Sequence, residues 1–322
     1  MRKTLTATAV MLLIAAASSA LCQTPPGTQY PVKPVRMIAV GPGGVVDFSA
    51  RVLALALSNA FNQQVVVDNR PAGAIPGETV ARAQPDGYTL LVAGGSFWVQ
   101  PLLQERVPYD PSADFIPISL LYGVPYLLVA HPSLPVKSVK ELIALAKARP
   151  GEINYASAAS GSASHLAAAL FTYMTAINIV RIPYKAAGAR TASLLAGEVQ
   201  LDFATGGGIM HHMKSGRLKV LAITSAKSSG LFPGVPTIAA DVPGYESTTT
   251  GAMFARTGTP VEIIHRLSQE VTRALNRTEL RDKLMSVGAE AIGSSPEQLV
   301  NHMKSEISRM GKLIKATGIR EE

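Results

Sequence analysis

The sequence predicts an α/β protein of two lobes with mainly parallel sheets. Strand-like apolar runs alternate with helical patterns along almost the whole chain, the arrangement typical of α/β lobes. The 322 residues are enough for two cores, and 47% apolar against 16% charged residues is a globular composition. Two Gly/Ser-rich loops, at 41–47 and 157–165, each join an apolar run to a helix start. Their separation along the chain suggests that each lobe contributes one loop to a shared cleft.

The predicted strands are short apolar runs bounded by turn residues. In chain order they cover 35–40, 65–68, 88–93, 116–121, 126–130, 180–183, 199–203, 218–224 and 252–255.

The predicted helices have recognisable start signals. Helices over 48–61 and 166–174 follow the two Gly/Ser-rich loops. Ser138 and Glu141 form a capping box that opens a helix over 139–148. Pro260 opens another helix, and Ser295 with Gln298 opens the last one, which runs to about 315.

The chain contains no internal repeat and no low-complexity linker, so we expect it to cross between lobes on strands. The candidate crossings are 124–129 and 246–251, which would return the C-terminal helices to the first lobe. The expected boundaries are 28–127 with 250–322 for lobe 1 and 128–249 for lobe 2.

Residues 1–22 are predicted to be a signal peptide. Arg2 and Lys3 precede an apolar stretch too short to span a bilayer, which ends in small residues. We expect cleavage near Ala20 to Cys22 and a periplasmic protein. Lipidation of Cys22, the single cysteine, remains an alternative, although Leu21 stands where lipoprotein processing requires a small residue.

Charge and motif spacing exclude several function classes. The net charge of +8 is scattered, without the basic blocks or basic–aromatic alternation of nucleic-acid-binding proteins. The first loop resembles a dinucleotide fingerprint at Gly41 and Gly43, but Val46 occupies the third glycine position. His211 and His212 are adjacent and have no metal-ligand partner at helical spacing. We therefore expect no nucleic acid, cofactor or metal.

The two loops are candidate anion sites because the first N–H groups of a helix are unpaired and its dipole attracts negative charge. The candidate ligand-binding residues are Gly43, Gly44 and Asp47 in the first loop and Ser160, Gly161, Ser162 and His165 in the second. The alternatives are a tight turn in which Asp47 is only an N-cap, and a Ser-rich N-cap followed by a surface histidine.

Two further Gly-rich segments follow predicted strands, at 94–96 and 205–208. Ligands of open α/β sheets bind beyond the carboxyl ends of strands, so Ser96, Thr205 and Gly206 join the candidates. Phe97 and Trp98 are either core residues or an aromatic pocket wall.

A serine hydrolase is the enzyme alternative, with Ser160 or Ser162 as nucleophile and His165 as base. The segment from Gly161 to His165 does not fit the Gly-x-Ser-x-Gly pattern of a nucleophile elbow, since it ends in histidine, and no acidic residue is placed to orient the imidazole. We therefore expect a protein without catalytic residues.

Several motifs, taken in order, resemble the extracytoplasmic solute receptors of tripartite tricarboxylate transporters, the Bug or TctC-like proteins. The matching segments are Tyr30-Pro-Val-Lys-Pro-Val-Arg36, Pro42-Gly-Gly-x-x-Asp47, Asn69-Arg-Pro-Ala-Gly73, Pro85-Asp-Gly-Tyr-Thr-Leu-Leu91, Gly161-Ser-x-x-His165, Pro183-Tyr-Lys185 and Pro233-Gly-Val-Pro-Thr237.

The resemblance implies a type II periplasmic-binding-protein fold: two α/β lobes, a ligand cleft between them and two inter-lobe crossings. It implies that the two loops hold a ligand carboxylate, while Ser96, Thr205 and Gly206 contact the far end of the solute. It also implies delivery to a two-component membrane permease. The alternatives are an exported Ser/His hydrolase and a ligand-sensing receptor for a membrane sensor kinase.

Two departures from the family pattern affect the expected pocket. Val40-Gly41-Pro42 stands where the family often has Pro-Phe, and Thr250 stands near a position that is usually aromatic. A wider or more polar pocket is therefore expected. The predicted function is binding of a small carboxylate, dicarboxylate or aromatic, by a monomeric receptor.

Overall fold

A computed structural model describes residues 30–71 and 73–320. The predicted signal peptide, its cleavage position and Cys22 lie outside the described residues.

Ten strands are present in the described part of the chain. They are β1 (Val35–Val40), β2 (Val65–Arg70), β3 (Thr89–Gly94), β4 (Phe115–Ala130), β5 (Asn154–Ser157), β6 (Val180–Pro183), β7 (Leu201–Thr205), β8 (Lys219–Ile223), β9 (Thr248–Arg256) and β10 (Glu290–Ala291).

The α-helices alternate with these strands. They are α1 (Val45–Phe61), α2 (Ile75–Ala81), α3 (Ser96–Leu103), α4 (Val139–Ala148), α5 (Ala163–Thr175), α6 (Ala187–Ala196), α7 (Gly206–Lys214), α8 (Val261–Leu275), α9 (Thr278–Ser286) and α10 (Pro296–Thr317).

The predicted α/β class is confirmed, but the expectation of mainly parallel sheets is wrong for the centre of the molecule. The strand order is β2-β1-β3-β9-β4-β7-β5-β6, with β8 and β10 also paired to β4. Only the outer pairs, β1 with β2 and β3 and β5 with β6 and β7, are parallel. Every antiparallel pair involves β4 or β9. Hydrophobic periodicity indicates where strands lie but not their direction, so the sequence could not reveal this reversal.

Strand β4 connects the two halves of the sheet. Its early residues pair with β9 as far as Pro125↔Thr248, and its last residues, from Tyr126, pair with β7. The two strands predicted at 116–121 and 126–130 are therefore one strand. The predicted crossings lie on β4 and at the start of β9, while the exact lobe boundaries stay a prediction.

The helix start signals are confirmed where they were strongest. The Ser138 Oγ accepts the Glu141 N–H at 3.2 Å at the start of α4, which confirms the N-cap. The Glu141 Oε2 accepts the Lys137 N–H at 2.7 Å and not that of Ser138, so the predicted reciprocal capping box is not formed there. In α10, the Ser295 Oγ accepts the Gln298 N–H at 3.2 Å, while the Gln298 Oε1 accepts the Ser295 N–H at 2.8 Å. This reciprocal capping box satisfies two otherwise unpaired donors at the start of the last helix.

Helix α10 packs against the centre of the sheet. It contacts β4, α3 and α5. Its apolar face, including Leu299 and Leu313, belongs to a buried cluster that also contains Ile38 of β1 and Phe203 of β7. One continuous core therefore joins both halves of the sheet behind the site described next.

Candidate functional site

Two adjoining cavities open where β1 and β3 end and where α3 and α5 begin. Their volumes are about 320 and 390 Å³. The residues that line both are Val40, Gly94, Ser96, Leu103, Gly161 and Ala163. We call the first the α10 chamber, because Thr248, Glu306 and Arg309 also line it. We call the second the α2 chamber, because Pro76, Gly77 and Gln100 also line it.

Four predicted site residues line these cavities. Ser96 and Gly161 line both chambers, and Ser160 and Ser162 line the α2 chamber. The structure therefore brings together the second Gly/Ser-rich loop and the segment after β3, although they are far apart in the sequence.

The second loop is held by its own backbone and side chains. Gly161 has a φ of +74°, a conformation that glycine tolerates at little cost. Ser162 is the N-cap of α5, and its Oγ lies 3.4 Å from the His165 N–H. Among the described residues, the Ala163 and Ser164 N–H groups have no acceptor, as expected for the first turn of a helix.

His165 is buried, so the surface-histidine alternative is wrong. Its Nδ1 accepts the Gly161 N–H at 3.1 Å. Burial, with a smaller contribution from Arg181, lowers the pKa of the imidazole to about 4, so the ring is neutral at neutral pH. This ring shapes the loop from behind and lines neither cavity.

The serines and His165 do not form a nucleophile–base pair in this structure. The Nδ1 of His165 is occupied by a backbone donor, and the Ser162 Oγ faces the His165 backbone and the Ser164 Oγ. A hydrolytic mechanism would require a serine hydroxyl within hydrogen-bond reach of the imidazole.

The first loop is organised by Asp47, which lies in the first turn of α1. Its carboxylate accepts the Gly43 N–H at 3.1 Å, the Asn69 Nδ2 at 2.8 Å and the Arg51 Nε at 2.9 Å. Burial is the largest influence on its pKa and raises it, but the hydrogen bonds from Arg51, Asn69 and Gly43 outweigh burial and leave the pKa below its ordinary value. The carboxylate is therefore an ionised acceptor that fixes the loop.

The N-cap of α1 is Gly44, so the interpretation of Asp47 as the N-cap is wrong. Val46, not a glycine, lines the α10 chamber from this loop. Gly43, Gly44 and Asp47 line neither cavity, and their contact with ligand stays a prediction.

Thr205 and Gly206 lie away from both cavities. Thr205 is exposed, and Gly206 packs so tightly that an added Cβ would lie 2.5 Å from the Phe232 ring. Their contact with the far end of a ligand also stays a prediction.

The two aromatic residues after β3 have different roles. Trp98 is buried in the core, and its Nε1 donates to the Glu306 Oε2 at 2.8 Å. Phe97 stacks on Tyr109 with ring centroids 4.8 Å apart, and it also lines the α2 chamber. Phe97 is therefore both a core residue and part of the pocket wall, whereas Trp98 is a core residue alone.

Thr250 does not widen the pocket as expected. Its side chain is buried and lies 3.2 Å from the Nε2 of His302 on α10. Thr249 and Thr248, one and two residues earlier on β9, line the α10 chamber instead.

The polar wall contributed by α10 was missed from the sequence. Glu306 and Arg309 are three residues apart and line the same chamber, with side chains 15% and 20% exposed. On a helix with many charged residues, the sequence pattern of this pair is that of a solvent-exposed face. No local sequence signal distinguishes these two residues from the exposed charged residues of the same helix.

The adjacent histidines and the helix lengths bear on metal binding and membrane insertion. His211 and His212 lie on α7, outside both chambers, with ring centroids 5.7 Å apart. None of the helices within residues 30–71 and 73–320 has the length and apolar character needed to cross a bilayer.

Comparison with protein families and curated proteins gives consistent matches. A family model described as "Tripartite tricarboxylate transporter family receptor" matches residues 49–319. Protein BugT of Bordetella pertussis is 36% identical over 297 residues, which cover 90% of this chain and 91% of BugT.

Two solved structures are similar over nearly their whole length. Rpa4515 of R. palustris with adipate has 35% sequence identity and a TM-score of 0.73, covering 90% of this chain and 99% of that one. A TctC solute binding protein from Polaromonas without ligand has 27% identity and a TM-score of 0.82, covering 89% and 99%.

Proposed function

Because this chain belongs to the tripartite tricarboxylate transporter receptor family, we propose that it is an exported receptor that binds a small organic carboxylate and delivers it to a membrane permease. Members of this family are substrate-binding receptors and not enzymes. The single observation that carries the proposal is the N-terminus of α5, where Ser160, Gly161 and Ser162 line the α2 chamber.

The chemistry of this wall suits a carboxylate. Unpaired N–H groups at the start of a thirteen-residue helix, together with the helix dipole, attract an anion. The Ser160 and Ser162 hydroxyls can donate further hydrogen bonds. Ser96, the first residue of α3, lies on the wall that both chambers share, so a bound anion would be within a cavity that two helix N-termini line.

The positions of Ser162 and His165 favour a receptor over the hydrolase alternative. The Ser162 Oγ caps α5, and the His165 Nδ1 accepts a backbone N–H. Both groups therefore fix the loop at the N-terminus of α5, and neither is poised for covalent attack.

The overall shape supports a cleft that closes on its ligand. The TM-score is higher with the ligand-free Polaromonas receptor, 0.82, than with the adipate complex, 0.73, although the adipate-binding protein is more similar in sequence. We infer that the described conformation is the open one, and that ligand binding favours a closed form through its higher affinity for that form.

Export and delivery complete the proposal. The charged and apolar pattern of the first 20 residues supports export to the periplasm, and family membership supports a permease as recipient. Adipate in the related structure supports a small organic acid as ligand.

Isothermal titration calorimetry tests the ligand class directly. The purified protein is titrated with aliphatic mono- and dicarboxylates, aromatic carboxylates and the methyl ester of each acid. We expect at least one acid to bind and its ester, which lacks the negative charge, to bind at least about tenfold more weakly. Failure of every acid, or equal binding of acid and ester, would contradict the proposal.

A further inference from the structure

Two polar atoms without partners lie on the wall of the α10 chamber. The Arg309 Nε and the Thr248 Oγ1 are both buried and have no hydrogen-bond partner among the described residues. Buried donors of this kind are rare, because each one loses its bonds to water without compensation. Their presence on one chamber wall indicates a place where a polar group of a ligand would be stabilised.

Arg309 has most of its hydrogen-bonding capacity unused. A guanidinium carries five N–H donors, and in this structure only Nη1 has an acceptor, the Glu246 Oε2 at 3.4 Å. That contact is long, and the side chain of Glu246 is 36% exposed to solvent, which weakens the pair. A carboxylate placed in the chamber could accept two N–H groups from the planar fork at once.

Glu306 is the competing charge on the same wall and would instead favour a cationic ligand group. Its Oε2, however, already accepts the Trp98 Nε1 at 2.8 Å and lies 3.4 Å from the His302 Nε2. His302 in turn contacts the Thr250 Oγ1 at 3.2 Å. The acidic side chain is thus held by protein donors, whereas the basic one is largely available.

The remainder of the α10 chamber is suited to hydrocarbon. Val99, Leu166 and Met310 line it, together with Leu103 from the wall shared with the α2 chamber. Burying methylene groups against such side chains is favourable, at roughly 0.8 kcal/mol for each CH₂.

From this arrangement we infer that the ligand is an α,ω-dicarboxylate with a hydrocarbon spacer. One carboxylate lies at the N-terminus of α5, and Arg309, assisted by Thr248, binds the other. The inference rests on the proposed function, since it assumes that the first carboxylate binds at the second loop. It assigns to Arg309 the discrimination between dicarboxylates and monocarboxylates.

The test compares acids that differ only in the second carboxylate. Adipate is paired with hexanoate and pimelate with heptanoate in calorimetric titrations of the wild-type protein, Arg309→Gln and Arg309→Lys. We expect the wild-type protein to bind the better diacid at least about tenfold more tightly than its monoacid, the value of one charge-assisted hydrogen bond. Arg309→Gln should abolish that discrimination by weakening the diacid alone, and Arg309→Lys should retain part of it.

Matched variants separate a local role from a general charge effect. Lys312→Gln removes the same charge from an exposed position one turn along α10 and should change neither affinity by more than about twofold. Thr248→Val should weaken the diacid and leave the monoacid unchanged. Thermal unfolding of each variant verifies that it is folded.

Three results would overturn the inference. If the wild-type protein bound diacid and monoacid with equal affinity, or if Arg309→Gln weakened the binding of both equally, Arg309 would not bind a second carboxylate. The proposed function would survive either result. Tighter binding of 6-aminohexanoate than of adipate would assign the chamber to Glu306 and a cation. If no carboxylate binds at all, the proposed function fails and the inference fails with it.

Discussion

At the residue scale, a buried contact between Arg190 and Asp202 connects the second loop to the sheet. Ser164 Oγ accepts the Ala158 N–H at 3.3 Å and the Arg190 Nη1 at 3.1 Å. The Arg190 Nε lies 3.0 Å from the Oδ2 of Asp202, whose side chain is fully buried on β7. The loop that carries Ser160 to Ser162 is therefore connected to the sheet through Arg190 and Asp202.

His165 should make the protein less stable as the pH falls from 7 to 5. The unfolded imidazole keeps a pKa near 6.5, whereas burial lowers the folded value to about 4. Between these values the unfolded state binds a proton that the folded state does not, so stability present above pH 6.5 is lost on acidification. The expected loss is about 2 kcal/mol of unfolding free energy, measured by urea unfolding at both pH values.

Two variants at histidine positions isolate this effect. His165→Asn keeps an acceptor for the Gly161 N–H but cannot titrate, so its loss between pH 7 and 5 should be smaller than that of the wild type. His211→Asn, at an exposed position, should behave like the wild type. If all three proteins lost the same unfolding free energy between pH 7 and 5, His165 would not be the cause of the pH dependence.

Asp202 should make the protein less stable as the pH rises, which is opposite to the pH dependence expected from His165. Burial raises the pKa of its carboxyl to about 7, although Arg190 lowers it in part. The folded carboxyl therefore keeps a proton that the unfolded one loses near pH 4, and its contribution to unfolding free energy decreases as the pH rises from 5 to 8. Relative to Asp202→Asn, the wild type should lose stability over that range in urea unfolding. The wild type should show no such change relative to the exposed control Asp241→Asn. If the wild type gained stability relative to Asp202→Asn between pH 5 and 8, the prediction would be contradicted.

At the element scale, the close pairing of β4 with β9 fixes the centre of the molecule. Gly251 of β9 is paired with Tyr122 of β4, and a Cβ at position 251 would lie 2.2 Å from the Tyr122 ring. Tyr122 is only 1% exposed, so it has little room to move. The preceding β9 residues, which line the α10 chamber, therefore depend on the absence of a side chain at one position.

Gly251→Ala should destabilise the protein by about 2–3 kcal/mol, because overpacking a rigid core forces strain on the backbone and on Tyr122. Chemical denaturation measures the change. Gly311→Ala is the matched control: an added Cβ there makes only an ordinary contact with Leu102, 3.9 Å away, inside α10. That variant should be up to about 1 kcal/mol more stable, since alanine favours helix over glycine. A loss of similar size in both variants would show that the Tyr122 contact is not responsible.

At the scale of the whole molecule, the structure resembles a ligand-free receptor more than a ligand-bound one. The proposed open conformation would explain why Gly43 and Gly44 do not line the cavities although the second loop does. In that proposal, one half of the sheet rotates about β4 and β9 and brings the first loop closer to the second.

Small-angle X-ray scattering tests this closure. A carboxylate that binds in calorimetry should reduce the radius of gyration at saturation, because the bound anion stabilises the form in which both loops contact it. The methyl ester of the same acid should leave the radius unchanged. Binding without any compaction would show that the cleft does not close.

The sequence alone determined the α/β class, five of the ten helices in the described residues and four of the residues that line the candidate cavities. Helix N-caps and apolar periodicity are local, so the Ser138 cap of α4 and the Ser295–Gln298 capping box of α10 can be recognised without knowledge of the fold. Glycine- and serine-rich strand exits are also local signals, and they identified Ser96, Ser160, Gly161 and Ser162.

Only the tertiary structure decided which other residues complete the cavity walls. Arg309 belongs to an ordinary charged helix more than 140 residues after Gly161, and only the packing of α10 against β4 and α3 brings them to one cavity. The direction of β4 and β9 and the buried state of His165 were likewise decided by long-range packing. Such long-range contacts produce no periodic pattern in the sequence. They depend on which helices and strands pack together and not on the order of residues within one helix or strand.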